Sequence, residues 1–162
     1  MFKNKKLHIN SSLTQLYRIE EFVETISDAY NINNNYYSTI LITLDEAVRN
    51  AIEHGNKFEF KKKVTISFSA SKGELIFSVK DEGNGFQIDS IPDPTNIQIG
   101  LDSDNGKGLF LMKQLSDDIS TNKLGNEISL HFKVSSINKD LAVQRSHALQ
   151  SFFNEQKQTV KY

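Results

Sequence analysis

The chain has 162 residues, 38% of them apolar and 24% charged, with a net charge of −1 at neutral pH and no cysteine. That length suits one domain burying roughly 70% of its unfolded surface. The missing thiols exclude disulfides, thiol catalysis and cysteine-based zinc sites, and the near-neutral charge gives no global attraction to nucleic acid or an anionic bilayer.

No apolar run approaches the roughly 20 residues needed to span a membrane. The start M-F-K-N-K-K-L-H-I-N is charged but lacks the apolar centre of a secretory signal, so a cytoplasmic protein is expected, without membrane or direct nucleic-acid partners. Lys6 to Asn10 reads as a short strand. Ser12 follows as a helix N-cap with Gln15 as its capping-box partner. Leu13, Leu16, Ile19, Phe22, Val23 and Ile26 continue at helical spacing to about Tyr30. Arg18, Glu20, Glu21 and Glu24 form the other face, for solvent or for a partner.

After a polar break at 31–35, a second helix is expected from Leu41 to Asn56, with Leu41, Leu44, Val48 and Ile52 inward. Glu46, Asn50 and His54 recur every four residues on another stripe. Such a stripe is either the solvated outer face of an amphipathic helix or the wall of a metal-bound, water-filled cavity. Gly55 stands where a helix C-cap belongs. Val64 to Ala70 and Leu75 to Val79 alternate as two strands around Ser71-Lys72-Gly73, most simply an antiparallel hairpin.

The second of these strands runs into D-E-G-N-G-F at 81–86. Residues 87–105 carry Pro92, Pro94, Gly100 and many Asp and Asn without any period, the mark of a lid or binding loop. G-K-G-L-F-L-M at 106–112 puts glycines ahead of an apolar helix to about Leu115. Two strands, Ile119 to Thr121 and Ile128 to Val134, flank a turn at Gly125-Asn126. A last amphipathic segment starts near Asn138, with Leu141, Ala148, Leu149, Phe152 and Phe153 on one side. His8, His131 and His147 belong to no motif and read as structural or exposed.

Glycines opening a helix suit an anion, through free amides and the positive helix end. Neither familiar template fits. Gly100 and Gly106-Lys107-Gly108 lack the spacing and hydroxyl residue of a Walker A loop, and Gly83 and Gly85 lack the third glycine of a Rossmann fingerprint. In order, however, E-A-V-R-N-A-I-E-H-G, D-E-G-N-G and G-K-G-L resemble the N box and two glycine boxes of the GHKL-type ATPases. P-D-P-T at 92–95 and G-K-G-L-F-L-M strengthen a likeness to the small anti-sigma-factor serine/threonine kinases, over roughly residues 7–134.

The resemblance implies an α+β fold of the Bergerat type. This is a two-layer sandwich with a mixed, mostly antiparallel sheet and helices on one face, here at residues 1–136, with a helical extension at 137–162. It implies ATP and Mg²⁺ as cofactors. Asp81 would read the adenine amino group, and Gly83 and Gly85, followed by Phe86, would let backbone approach base and sugar. Asn50 would ligate Mg²⁺, while Gly106, Lys107, Gly108 and Leu109 would wrap the phosphates beneath a lid. Glu46 would be the general base, and His54 either a nucleotide contact or a helix-end packing residue. Lys107 replaces an arginine common at that place and loses bidentate geometry.

The function so implied is an ATP-dependent serine/threonine kinase that phosphorylates a STAS-domain anti-sigma antagonist and sequesters a sigma factor, with a homodimer suggested by the likeness. The alternative is a nucleotide-binding regulatory module acting by sequestration without kinase activity. The ATP-binding part of a histidine kinase ranks third, since few residues precede the second helix.

Overall fold

The computed structural model describes residues 2–71, 73–86, 104–133 and 146–151. Its elements run β1 Asn4–Asn10, α1 Tyr17–Tyr30, α2 Asn34–Asn50, β2 Lys63–Ser71, β3 Glu74–Lys80, α3 Asp104–Leu115, β4 Asp118–Thr121 and β5 Glu127–Lys133. The strands form one sheet in the order β1-β2-β3-β5-β4. All four pairings among the described residues are antiparallel, in keeping with the mostly antiparallel sheet expected.

Alternation along the strands decides the two layers, because successive side chains point to opposite faces. Val64, Ile66 and Phe68 of β2, Leu75, Phe77 and Val79 of β3, and Ile128, Leu130 and Phe132 of β5 are buried on one face. There they meet Ile19, Phe22, Val23 and Ile26 of α1, Ile40, Leu44 and Val48 of α2, and Leu109 and Met112 of α3. Edge-on and tilted rings cross the strands, with Phe68 5.1 Å from Phe77 and Phe77 6.0 Å from Phe132. The opposite face carries half-buried hydroxyls, such as Ser78 and Ser129, whose oxygens lie 2.8 Å apart. His131 sits there between Ser120 and Glu74, at 3.0 and 3.2 Å.

Local differences from the expected elements have plain causes. Ser12 caps a short 3-10 turn at Leu13–Gln15 by accepting from the Thr14 amide. No capping box forms there, because the Ser12 amide donates to Asn10 and Gln15 accepts from Arg18. The helix α2 begins earlier than its apolar period, because Asn33 within the polar break caps it, accepting from the Tyr36 amide at 2.9 Å. Its end is a π-helical turn, Ala51–Gly55, closed by the Asn56 amide on Ala51. Gly55 is therefore the last residue of that turn and not its cap. Likewise α3 starts at Asp104, so Gly106 and Gly108 lie inside its first turns. The expected loop lies outside the described residues except for its last two, which open α3, and so does most of the tail, of which 146–151 is helical. Among the described residues no helix is long and apolar enough to cross a membrane.

Candidate functional site

The end of α2, the end of β3 and the start of α3 enclose a cavity of about 710 Å³. Asn50, His54, Asp81, Gly83, Gly85, Phe86, Gly106 and Leu109 all line it. Residues as far apart in sequence as Asn50 and Leu109 thus share one wall only because β3 and α3 both pack against α2. The π-helical turn sits where α2 meets the cavity, a placement common for such widened turns at functional sites. It leaves the His54 ring exposed at the rim, 3.9 Å from the Glu53 carboxylate.

Asp81 follows β3 directly and is 8% exposed. Its amide donates to the Asn126 carbonyl at 2.9 Å, and its own carbonyl accepts from Asn126 Nδ2 at 3.1 Å. Its Oδ1 accepts from the Gly83 amide at 2.7 Å. Burial pushes the carboxyl above its ordinary range, and the Gly83 hydrogen bond and the Lys62 ammonium offset part of that rise. A Cβ on Gly55 would lie 2.3 Å from Asp81 Cγ, so Gly55 is needed for close approach. A Cβ on Gly83 would lie 2.3 Å from the Gly55 carbonyl oxygen. Gly85 has φ +79°, and its Cβ would sit 1.8 Å from the Leu124 carbonyl oxygen. What these two glycines demonstrably permit is backbone against backbone, which shapes the turn before any ligand is considered.

Glu46 lies one turn before Asn50 and outside the wall of this cavity. It belongs to a shallow groove with Leu16, Tyr17, Glu20, Leu41, Ile42 and Asp45. Its Oε2 nevertheless faces α3, because a Cβ on Gly108 would fall 2.9 Å from that atom and 3.4 Å from Asn50 Nδ2. Burial raises the Glu46 carboxyl above its ordinary range, Asp45 and Glu53 add to the rise, and Arg49 opposes it. Arg49 is itself engaged with Asp45 at 2.6 Å. Lys107 is half-buried and does not line the cavity.

Among the described residues no three acidic or histidine side chains converge as a metal cluster. Packed against Gly108 are instead one carboxylate, Glu46, and one amide, Asn50, of which Asn50 also reaches the cavity. That sparse oxygen set fits Mg²⁺, which takes one or two protein ligands and keeps waters and phosphate oxygens for the rest. Sequence reasoning missed Asn126 and Asn56. The latter is fully buried, donates from Nδ2 to Ser11 Oγ and the Lys63 carbonyl, and accepts from the Glu82 amide. It also missed Lys57, Glu59 and Lys62 on the cavity wall. Turn asparagines and surface lysines carry no periodic signal that would distinguish them.

Residues 9–132 match the family described as Histidine kinase-like ATPase domain. The chain is 33% identical over 86 residues to Serine-protein kinase RsbW of Bacillus subtilis (strain 168), covering 48% of this chain and 52% of that one. It is 28% identical over 83 residues to Serine-protein kinase RsbW of Listeria innocua, covering 48% and 53%. The chain thus spans about half the length of the curated relatives it matches. A crystal structure of RsbU and RsbW domains from Mycobacterium tuberculosis superposes with a TM-score of 0.57 at 15% identity, covering 82% of this chain and 32% of that one, a likeness of fold. Because the family match at residues 9–132 takes in α1, α2, α3, strands β2 to β4 and the whole cavity wall, the chain belongs to the histidine kinase-like ATPase domain family.

Proposed function

We propose that the chain is an ATP-dependent protein serine/threonine kinase of the anti-sigma-factor type. The observation that carries this reading is the Glu46 carboxylate facing Gly108 at the start of α3, one turn from Asn50. A protein that only bound nucleotide would have no use for a base there. Asp81, held by Gly83 and Asn126, would accept from the exocyclic amine of adenine, and the turn at 83–85 would flank the sugar. Asn50 would supply an oxygen to Mg²⁺, whose contribution when bound is to neutralise charge on the phosphates. The hydroxyl oxygen of a protein serine or threonine forms the new bond to the γ-phosphorus, the bond to the bridging oxygen breaks, ADP leaves, and Glu46 takes the hydroxyl proton. The raised basicity of Glu46 suits that task.

The partners that go with this reading are a small STAS-domain antagonist as phosphate acceptor and a sigma factor as sequestered protein, with a homodimer in the cytoplasm as the working form. They rest on the motif resemblance and on relatives named as serine-protein kinases. A second reading, a nucleotide-binding module acting by sequestration, draws on one observation: Glu46 lies outside the cavity that holds Asp81. Glu46→Gln separates the two. It keeps shape and an accepting oxygen, so Mg-ATP affinity should stay within a few-fold while phosphorylation of an antagonist falls by about 10²-fold or more. Full transfer by the variant would end the base assignment. A parent chain that binds ATP and sigma factor yet phosphorylates no antagonist would establish the module instead.

A further inference from the structure

The segment from Asn56 to Lys63 combines backbone strain, exposed aromatic rings and free charge in a way the nucleotide reading leaves unused. Lys57 and Phe58 both have positive φ, 53° and 59°, in a region that side chains disfavour. The turn is nevertheless firmly tied. The Phe58 amide donates to the Ile52 carbonyl at 2.9 Å, Glu59 to Asn56 at 3.0 Å and Lys62 to Glu59 at 2.9 Å. The fully buried Asn56 anchors it beneath, through Ser11, Lys63 and Glu82. What the strained turn does is hold two phenylalanines out, Phe58 at 56% and Phe60 at 60% exposure.

We propose that this turn is a docking surface for an acidic, apolar segment of a partner protein. Large apolar side chains fixed outside the core mark interaction sites, and a pre-ordered loop loses little entropy on binding. The charges select the occupant. Lys62 is engaged with Glu59, and Lys63 with Asn10. Among the described residues Lys57 and Lys61 have no ion-pair partner, so two cations flank the two rings. Two free cations suit a short acidic stretch better than a bilayer, whose binding scales with larger basic clusters. The net charge of −1 argues against nucleic acid. A second copy of this turn would set lysine against lysine. Lys57, Glu59 and Lys62 also line the cavity, so the docked segment lies at its lip.

The test uses the full chain and fluorescein-labelled peptides that alternate glutamate with leucine and phenylalanine, read by anisotropy. Companion peptides carry lysine for glutamate, or serine for the apolar residues. The acidic-apolar peptide should bind about tenfold or more tightly than either companion, and Phe60→Ser should remove that advantage. Phe58→Gly should weaken binding while the melting temperature holds or rises, since glycine relieves the positive φ. A purely structural role would move both downwards together. Lys57→Ala with Lys61→Ala should flatten the salt dependence. The proposal is overturned by equal affinity for the lysine peptide, by no binding of the acidic peptide at millimolar concentration, or by variants that bind like the parent. Binding to anionic phospholipid vesicles that depends on Phe58 and Phe60 would replace it with a membrane site.

Discussion

A methyl group on Gly55 would fall 2.3 Å from Cγ of Asp81 and 2.5 Å from its Oδ2, closer than a Cβ contact can be. The end of the π-helical turn and the first residue after β3 are therefore fitted to each other through the absence of one side chain. Gly55→Ala should displace the Asp81 carboxylate, which is short and tied to Gly83, and weaken ATP binding while leaving the fold. Gly83→Ala meets the Gly55 carbonyl oxygen, which is backbone and yields less, so it should lower the melting temperature as well. Calorimetric titration with ATP, alongside thermal unfolding, distinguishes the two. Equal behaviour would mean that the turn can slide.

Asp81→Asn tests base recognition. With the aspartate present, ATP should bind at least about tenfold more tightly than GTP, since a mismatched buried polar group costs about 1–3 kcal/mol. The variant keeps an oxygen for the Gly83 amide but confuses acceptor with donor on the side that faces the base, so the preference should shrink. Equal affinities of the parent for adenine and guanine nucleotides would remove Asp81 from this role.

The raised carboxyls of Glu46 and Asp81 have a stability consequence with a definite sign. Both are held above their ordinary ranges chiefly by burial, so the folded chain binds these protons more tightly than the unfolded one. Their cost to stability is absent at acid pH, where both states are protonated, and grows as pH rises from the ordinary carboxyl range through the raised values. Glu46→Gln should therefore melt higher than the parent at neutral pH, with the gain vanishing below the ordinary carboxyl range. Phosphoryl transfer by the parent should lose activity on acidification at a pH above that of an ordinary glutamate. A variant less stable than the parent at neutral pH would show that Glu46 holds the fold.

Asn56→Ala removes the donor to Ser11 Oγ and the Lys63 carbonyl and the acceptor of the Glu82 amide, all around a fully buried side chain, while the Ser11 hydroxyl keeps its bond to the Lys62 carbonyl. The expected cost is about 1–3 kcal/mol, a fall of a few degrees in melting temperature. Asn126→Ala should instead act mainly on nucleotide affinity, because its side chain supports the Asp81 backbone. Thermal unfolding with and without ATP separates the two, and an equal loss at both positions without nucleotide would contradict it.

What the amino-acid sequence by itself determined were the features written in local period and motif order. Alternation placed β2 and β3, since a half-buried strand must change face at every residue. Helical spacing placed α1 to its last residue, Tyr30; of the stripe Glu46, Asn50 and His54 that it proposed, Asn50 and His54 line the cavity and Glu46 does not. The order of the three glycine-bearing motifs pointed to the family that residues 9–132 match. Only the tertiary structure decided what the individual residues in those motifs touch. A capping box at Ser12 was equally consistent with the sequence, but Arg18 competes for Gln15. A C-cap at Gly55 was too, but the π-helical turn runs through Gly55 and is closed by the Asn56 amide on the Ala51 carbonyl. Asn56, Asn126 and the exposed phenylalanines of the 56–63 turn carry no periodicity, because their roles arise from strands and turns distant in sequence. Period reports which face a residue presents. Which atom meets it there is settled by how the sheet and helices close on one another.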